Sequence, residues 1–225
     1  MTAVMTTRTT ETVYSLSEIE AHAKKAVRGA GFSWGYAEEA AKSVRLLAAH
    51  QLPGAVALAA YLAECADSAT FSGPVVIDGV WSGVKSTQSL CPVLSGAVLC
   101  DHAQLVVADG GEITLSDLAY PLLVLPYVAL LARRLDCALV VSWDGVELAC
   151  HQGRLVCVTA GDVALLAART TGFSCRATAI VEEGEEAGSR GQVISHDVWQ
   201  ALNDFAHHTY VPATEASRRG AGPAD

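Results

Sequence analysis

Apolar positions near the start of the chain recur at helical spacing. Leu16, Ile19, Ala23, Ala26, Val27 and Ala30 share one face at the 3.6-residue period. Ser15 followed by Glu18 is a capping box, in which each side chain reaches the other residue's free backbone N–H. Gly31 then supplies a residue that ends such a helix. A second stripe, Trp34, Ala37, Ala41, Val44 and Ala48, predicts a helix from about Ser33 to His50. Pro53 opens a third, Ala-rich helix to about Asp67. Small residues on all three faces permit close packing. Glu20–Lys24 and Glu38–Lys42 stand in the favourable i,i+4 order for ion pairs within one helix.

From residue 73 the period changes to two. VVIDGVW holds an Asp78-Gly79 turn and LVVADGGEITL holds Asp109-Gly110-Gly111, both hairpin signals because these residues tolerate positive φ. Between them KSTQSLCPVLSGAVLCD has no clear period. A helix over 118–135 follows, starting properly at or after Pro126.

The strongest β pattern is CALVVSW, Asp144-Gly145, VELACH, Gln152-Gly153, RLVCVT. Two-residue turns fix its register: Trp143 opposite Val146, Val141 opposite Leu148, Leu139 opposite Cys150, then Cys150 opposite Leu155 and Leu148 opposite Cys157. One face of this meander is therefore apolar. The other carries Ser142, Glu147, His151 and Arg154 and is at least partly wet.

A short helix near 162–169 and a strand near 175–182 come next, then EEGEEAGSRG as an acidic surface loop. Ser195 caps a last helix with Val198, Trp199, Leu202, Phe205 and Ala206 as its stripe. Segregated helices and strands define the class as α+β: an N-terminal three-helix segment, an antiparallel sheet with a hairpin meander, and a C-terminal helix. Residues 1–14 are expected to be a disordered tail. Residues 15–222 form a single domain, helical over 15–70 and mixed over 71–222.

Composition narrows the function. Fifteen Lys+Arg against 24 Asp+Glu give a net charge of −9, which argues against nucleic acid or an anionic membrane as partner, since both need a basic face. The longest uncharged apolar run, Leu118 to Ala132, falls short of the roughly 20 residues a spanning helix needs and contains Pro121 and Pro126. No secretory h-region precedes it. Seven dispersed cysteines without a CxxC pair read as reduced thiols of a cytoplasmic protein.

Chemical motifs are few. GxGxxG after a strand, GxxxxGK[ST] and HExxH are all missing, so no cofactor is expected. Cys137, Cys150 and Cys157 lie on the apolar meander face and are expected to pack there rather than to bind a metal. Cys91 differs. It is expected in a polar loop near Lys85, where a cation beside a partly exposed thiol would favour the nucleophilic thiolate; an inert buried thiol is the default reading. His207 and His208 diverge by about 100° on a helix and do not suit one ion. Glu38-Glu39 reads as a solvated face. The final segment, TYVPATEASRRGAG, places Tyr210, Thr214, Glu215, Ser217 and Arg218 close in sequence, as a ligand-binding cluster or a docked tail. The catalytic candidates are Cys91, His208 and Glu215.

HTYVPATEASRRGAG, SLSEIEAHAKKAVRGAGFSWGYAEEAAKSVRLL and LCPVLSGA resemble an uncharacterised bacterial domain-of-unknown-function family, number 3726. That resemblance spans residues 15–222 and implies no activity. The N-terminal helix pair, continuing through AEEAA and LLAAHQLPG, is also similar to the non-Rossmann malate/L-lactate dehydrogenase family, over about residues 15–62. This second resemblance implies a nicotinamide-dependent oxidoreductase. That family has Ser-His-Gly where this chain has Leu52-Pro53-Gly54, so its histidine has no counterpart.

The expected function is small-molecule binding, or an accessory role, in small-metabolite metabolism. The partner would be a small polar metabolite or a partner enzyme, and the assembly a homodimer that covers apolar surface. The alternative is an enzyme on a small polar metabolite centred on Cys91 or on His208, Glu215 and Arg218, or a degenerate dehydrogenase.

Overall fold

The computed structural model describes residues 11–66, 71–77, 80–83, 89–104, 111–152, 154–159, 161–178 and 188–210. In chain order the elements are β1 (Glu11–Ser15), α1 (Leu16–Gly29), α2 (Trp34–Ala49), α3 (Gly54–Cys65), β2 (Pro74–Ile77), β3 (Val80–Gly83), α4 (Pro92–Asp101), β4 (Glu112–Leu115) and β5 (Leu118–Ala119). A 3₁₀ turn at Pro121–Val124 leads into α5 (Leu125–Leu135). Then follow β6 (Ala138–Trp143), β7 (Val146–His151), β8 (Arg154–Thr159), α6 (Asp162–Leu165), β9 (Arg169–Thr170), β10 (Phe173–Thr178), β11 (Gly191–Ser195) and α7 (His196–His207). The class is α+β.

The capping box forms: the Glu18 carboxylate accepts from the Ser15 N–H at 2.8 Å, while Ser15 Oγ accepts from the Glu18 N–H at 3.3 Å. The Ser15 hydroxyl, which donates to the same carboxylate at 2.7 Å, and the Ser15 N–H together hold the Glu18 carboxyl below the usual carboxylate range. The i,i+4 pairs expected within α1 and α2 are not the ones made. Lys24 instead pairs with Glu38 at 2.5 Å and Arg45 with Glu20 at 2.6 Å, so both bridges join α1 to α2. The two helices pack closely through Ala23, Ala26, Ala37, Ala40 and Ala41, which brings the outward charges of one within reach of the other.

Residues 11–14 are not a loose tail. They form β1, which pairs antiparallel with β11 from Glu11↔Ser195 to Ser15↔Gly191. The ribbon is fixed by aromatic stacking, with Tyr14 3.6 Å from Trp199 on α7, whose other contact is His22 on α1 at 4.0 Å. Helix α7 lies almost in contact with α1, because Gly29 has no side chain: a Cβ there would be 1.8 Å from the Phe205 carbonyl oxygen.

The large sheet has seven strands in the order β2-β3-β4-β10-β6-β7-β8. The meander register matches the sequence reading at every pair, including Trp143↔Val146, Leu139↔Cys150 and Cys150↔Leu155. Asp144 and Gly145 take φ of 33° and 86°, the left-handed conformation the two-residue turn requires. The hairpin expected at 109–111 has its first strand outside the described residues; β4 instead pairs with β10 and, in parallel, with β3. Placing β10 beside β6 sets Cys175 opposite Val141 and so adds it and Phe173 to the apolar face. Trp143 is buried there, and its indole N–H donates to the Ala164 carbonyl at 3.0 Å. Helix α5 backs this sheet, while α4 lies in the stretch that showed no clear period. Pro92 at its first position, with no N–H to leave unpaired, is what starts it.

Candidate functional site

The residues singled out from sequence do not converge. Cys91 caps α4 at 2% exposure, and burial pushes its thiol up to about 11. Cys91 is therefore the inert buried thiol of the default reading, set beside Tyr61, and not the exposed, activated thiolate of the catalytic alternative. The reason is topological: Leu90 N–H donates to the Asp117 carbonyl and Cys91 N–H to the Ser72 carbonyl, which draws this segment under two others. His208 follows α7, where Nδ1 lies 3.3 Å from the Gly29 carbonyl and the ring meets Phe205 edge-on. It helps to hold α7 on α1. Tyr210 is exposed, with the Lys25 ammonium 5.8 Å from its ring centroid. Thr214, Glu215, Ser217 and Arg218 lie outside the described residues.

Cys150 and Cys175 are fully buried in the core; burial pushes the first thiol far up and the second to about 12. Cys137 is half-buried, and the side chain of Cys157 lies outside the described set. Among the described residues no three His, Cys, Asp or Glu side chains are arranged to hold a metal ion. Leu52 and Pro53 form the turn between α2 and α3. The Gln192 side-chain amide donates to the Leu52 carbonyl at 3.0 Å, and a Cβ on Gly54 would lie 2.8 Å from Leu47. That turn is a packing device.

A cleft of about 620 Å³ opens instead between α2, α4 and α5. Its floor is apolar, with Leu46 from α2, Ala97 from α4, and Pro126 and Tyr127 from α5, while exposed Leu130 stands at the rim. Tyr127 is 5% exposed, and its ring lies flat on α4 because Gly96 leaves room; a Cβ there would be 2.2 Å from the ring. The Tyr127 hydroxyl is sealed from solvent without a well-formed hydrogen bond. Burial pushes its pKa up, and the neighbouring Ser43 hydroxyl offsets this only in part. Cys100 adds a half-buried thiol that donates to the Tyr127 carbonyl at 3.6 Å. Burial, only partly countered by the Arg134 charge, pushes that thiol up to about 11.

Four charges stand around this floor. Glu39 and Lys42 come from α2, Asp101 from the end of α4, and Arg134 from the last turn of α5. All four are exposed. Arg134 Nη1 donates to the Cys100 carbonyl at 3.4 Å, which aims the guanidinium along the α4 wall. Glu39, Lys42 and Asp101 make no hydrogen bond or ion pair among the described residues, although Glu38 and Arg45 on the same α2 are both paired. Sequence reasoning treated Glu39 as part of a solvated face and missed the other three. No local signal marks them, since the cleft exists only where α4 and α5 cross α2.

The chain is thus an α+β protein with a charged, apolar-floored cleft among three helices. A family model described as "Protein of unknown function (DUF3726)" matches residues 14–81. Among solved structures, malate dehydrogenase from Entamoeba histolytica is similar at a TM-score of 0.45 and 8% identity, over 62% of this chain and 44% of that one. The chain therefore spans less than half the length of that enzyme. No curated protein matches.

Proposed function

We propose that the protein binds a small polar metabolite in the α2–α4–α5 cleft, as a binding or accessory protein of small-metabolite metabolism. The observation that carries this is the company of unpaired charges of both signs around an apolar floor of ligand size. Typical small-molecule sites have volumes of roughly 300–1,000 Å³, mostly apolar, with a few polar groups that fix orientation. A merely solvated helix face has no reason to combine these with a concave floor. The reading is tested by thermal shift and native mass spectrometry against a panel of polar metabolites, using wild type and Ala97→Trp. The indole should fill the cleft from α4. A ligand at about 100 times its Kd should stabilise the wild type by about 2.7 kcal/mol and leave Ala97→Trp unmoved. No stabilisation by any compound, or an equal response in the variant, would refute the site.

The proposal extends to a homodimer in the cytoplasm. Val13 and Val193 are cross-strand partners in the β1–β11 ribbon, and both are exposed, at 70% and 53%. Such a paired apolar patch favours a protein neighbour. The six described cysteines are free thiols, which suits a reducing compartment, and no described helix is long and apolar enough to cross a membrane. A monomeric mass by light scattering at micromolar concentration would end the dimer proposal.

A further inference from the structure

We infer that the ligand of the α2–α4–α5 cleft is a zwitterionic α-amino acid with an apolar side chain, an inference that rests on the binding function proposed above. Both sides of the cleft carry both signs: Glu39 and Lys42 on α2, Asp101 and Arg134 on α4 and α5. A ligand with only a carboxylate gains Lys42 and Arg134 but meets Glu39 and Asp101 as like charges. One with only an ammonium gains the carboxylates and meets the cations. An α-amino acid brings both charges on one carbon, so each can face its complement.

The neighbouring surface sharpens this. On α2, Glu38 is taken by Lys24 and Arg45 by Glu20, whereas Glu39, Lys42 and Asp101 make no ion pair or hydrogen bond among the described residues, Lys42 reaching Glu38 only through its longer-range field. Charges able to satisfy one another are held apart around a concavity. Arg134 is committed to the chain through one contact, Nη1 to the Cys100 carbonyl. Its other nitrogens remain for a carboxylate, which a guanidinium binds in bidentate fashion. The floor beneath offers Leu46, Ala97 and Pro126 and no charge, as an apolar side chain requires. Nucleotides and other polyanions fit poorly, because two carboxylates stand against two cations.

The test uses isothermal titration of the full chain with three probes that share one phenylethyl body: L-phenylalanine, 3-phenylpropionate and phenethylamine. L-phenylalanine should bind at least tenfold more tightly than either single-charge analogue. Arg134→Gln should weaken L-phenylalanine at least tenfold and leave phenethylamine no weaker. Glu39→Gln should weaken L-phenylalanine and improve 3-phenylpropionate. Both side chains are exposed, so folding should survive, and Arg134→Lys should retain part of the affinity. Equal binding of the three probes would overturn the zwitterion class. So would silence from all three while a metabolite that is not an α-amino acid stabilises wild type but not Ala97→Trp, a result that leaves the cleft standing. If no compound does so, the cleft falls with it.

Discussion

Gly29→Ala should be among the most damaging single changes to this fold. At an ordinary helical position, adding the methyl group would stabilise by about 0.5–1 kcal/mol, because glycine has more backbone entropy to lose. Here the new Cβ would lie 1.8 Å from the Phe205 carbonyl oxygen, 2.7 Å from its carbon and 3.5 Å from the Ala206 nitrogen. All three are backbone atoms, so no rotamer change relieves the clash. A carbon–oxygen contact needs about 3.3 Å, so α7 must back away from α1 by about 1.5 Å. That shift would loosen buried Leu202 and Ala206, the Trp199–His22 stack and the contact from His208 to the Gly29 carbonyl. Overpacking against an immovable wall costs about 3 kcal/mol. For a chain of this size each kcal/mol moves Tm by roughly 2–4 °C, so a fall of about 6–12 °C is expected. The assay is thermal denaturation followed by circular dichroism, with Gly35→Ala as control. Gly35 sits in the first turn of α2, where a Cβ meets nothing within 4 Å, and its variant should melt at or above the wild-type temperature. Equal melting of the two variants would refute the close-approach argument.

Two further predictions concern titration and reactivity. His22 and His50 are half-buried, and burial lowers the pKa of each below the ordinary value of 6.5. With the folded pKa depressed, the unfolded chain takes up the proton first. Stability should therefore be full above pH 6.5 and decline as pH falls through the folded values. Urea denaturation between pH 7.5 and 5 should show this decline. A slope unchanged in the His22→Phe, His50→Gln double variant would contradict it. Native-state labelling with a thiol reagent should modify half-exposed Cys65, Cys100 and Cys137 first, and Cys91, Cys150 and Cys175 only on unfolding. Rapid native labelling at Cys91, read by peptide mass mapping, would show that its burial is wrong.

Much of the architecture is legible in the sequence because its signals are local. The Ser15–Glu18 box, the stripes of α1, α2 and α7, and the two-residue turns at Asp144-Gly145 and Gln152-Gly153 each act over a few residues. A hairpin with a two-residue turn has its register set by that turn, so Leu139↔Cys150 and Leu148↔Cys157 follow directly. What local pattern does not contain is which distant elements meet. β1 is a short run of mixed polarity that becomes a strand only because β11, some 180 residues later, offers its edge. Cys91 stands among polar neighbours in sequence, yet α3 and the segments at Ser72 and Asp117 enclose it. Lys24 pairs with Glu38 and Glu20 with Arg45 because the close packing of α1 on α2 brings the charges of one helix within reach of the other. The cleft is the clearest case. Glu39, Lys42, Asp101 and Arg134 belong to three helices and share no spacing. Sequence alone determined the helices and the side chains each carries. Only the crossing of α4 and α5 over α2 decided that four exposed charges should face one apolar floor, because a concave site is a property of packed surfaces and not of any one segment.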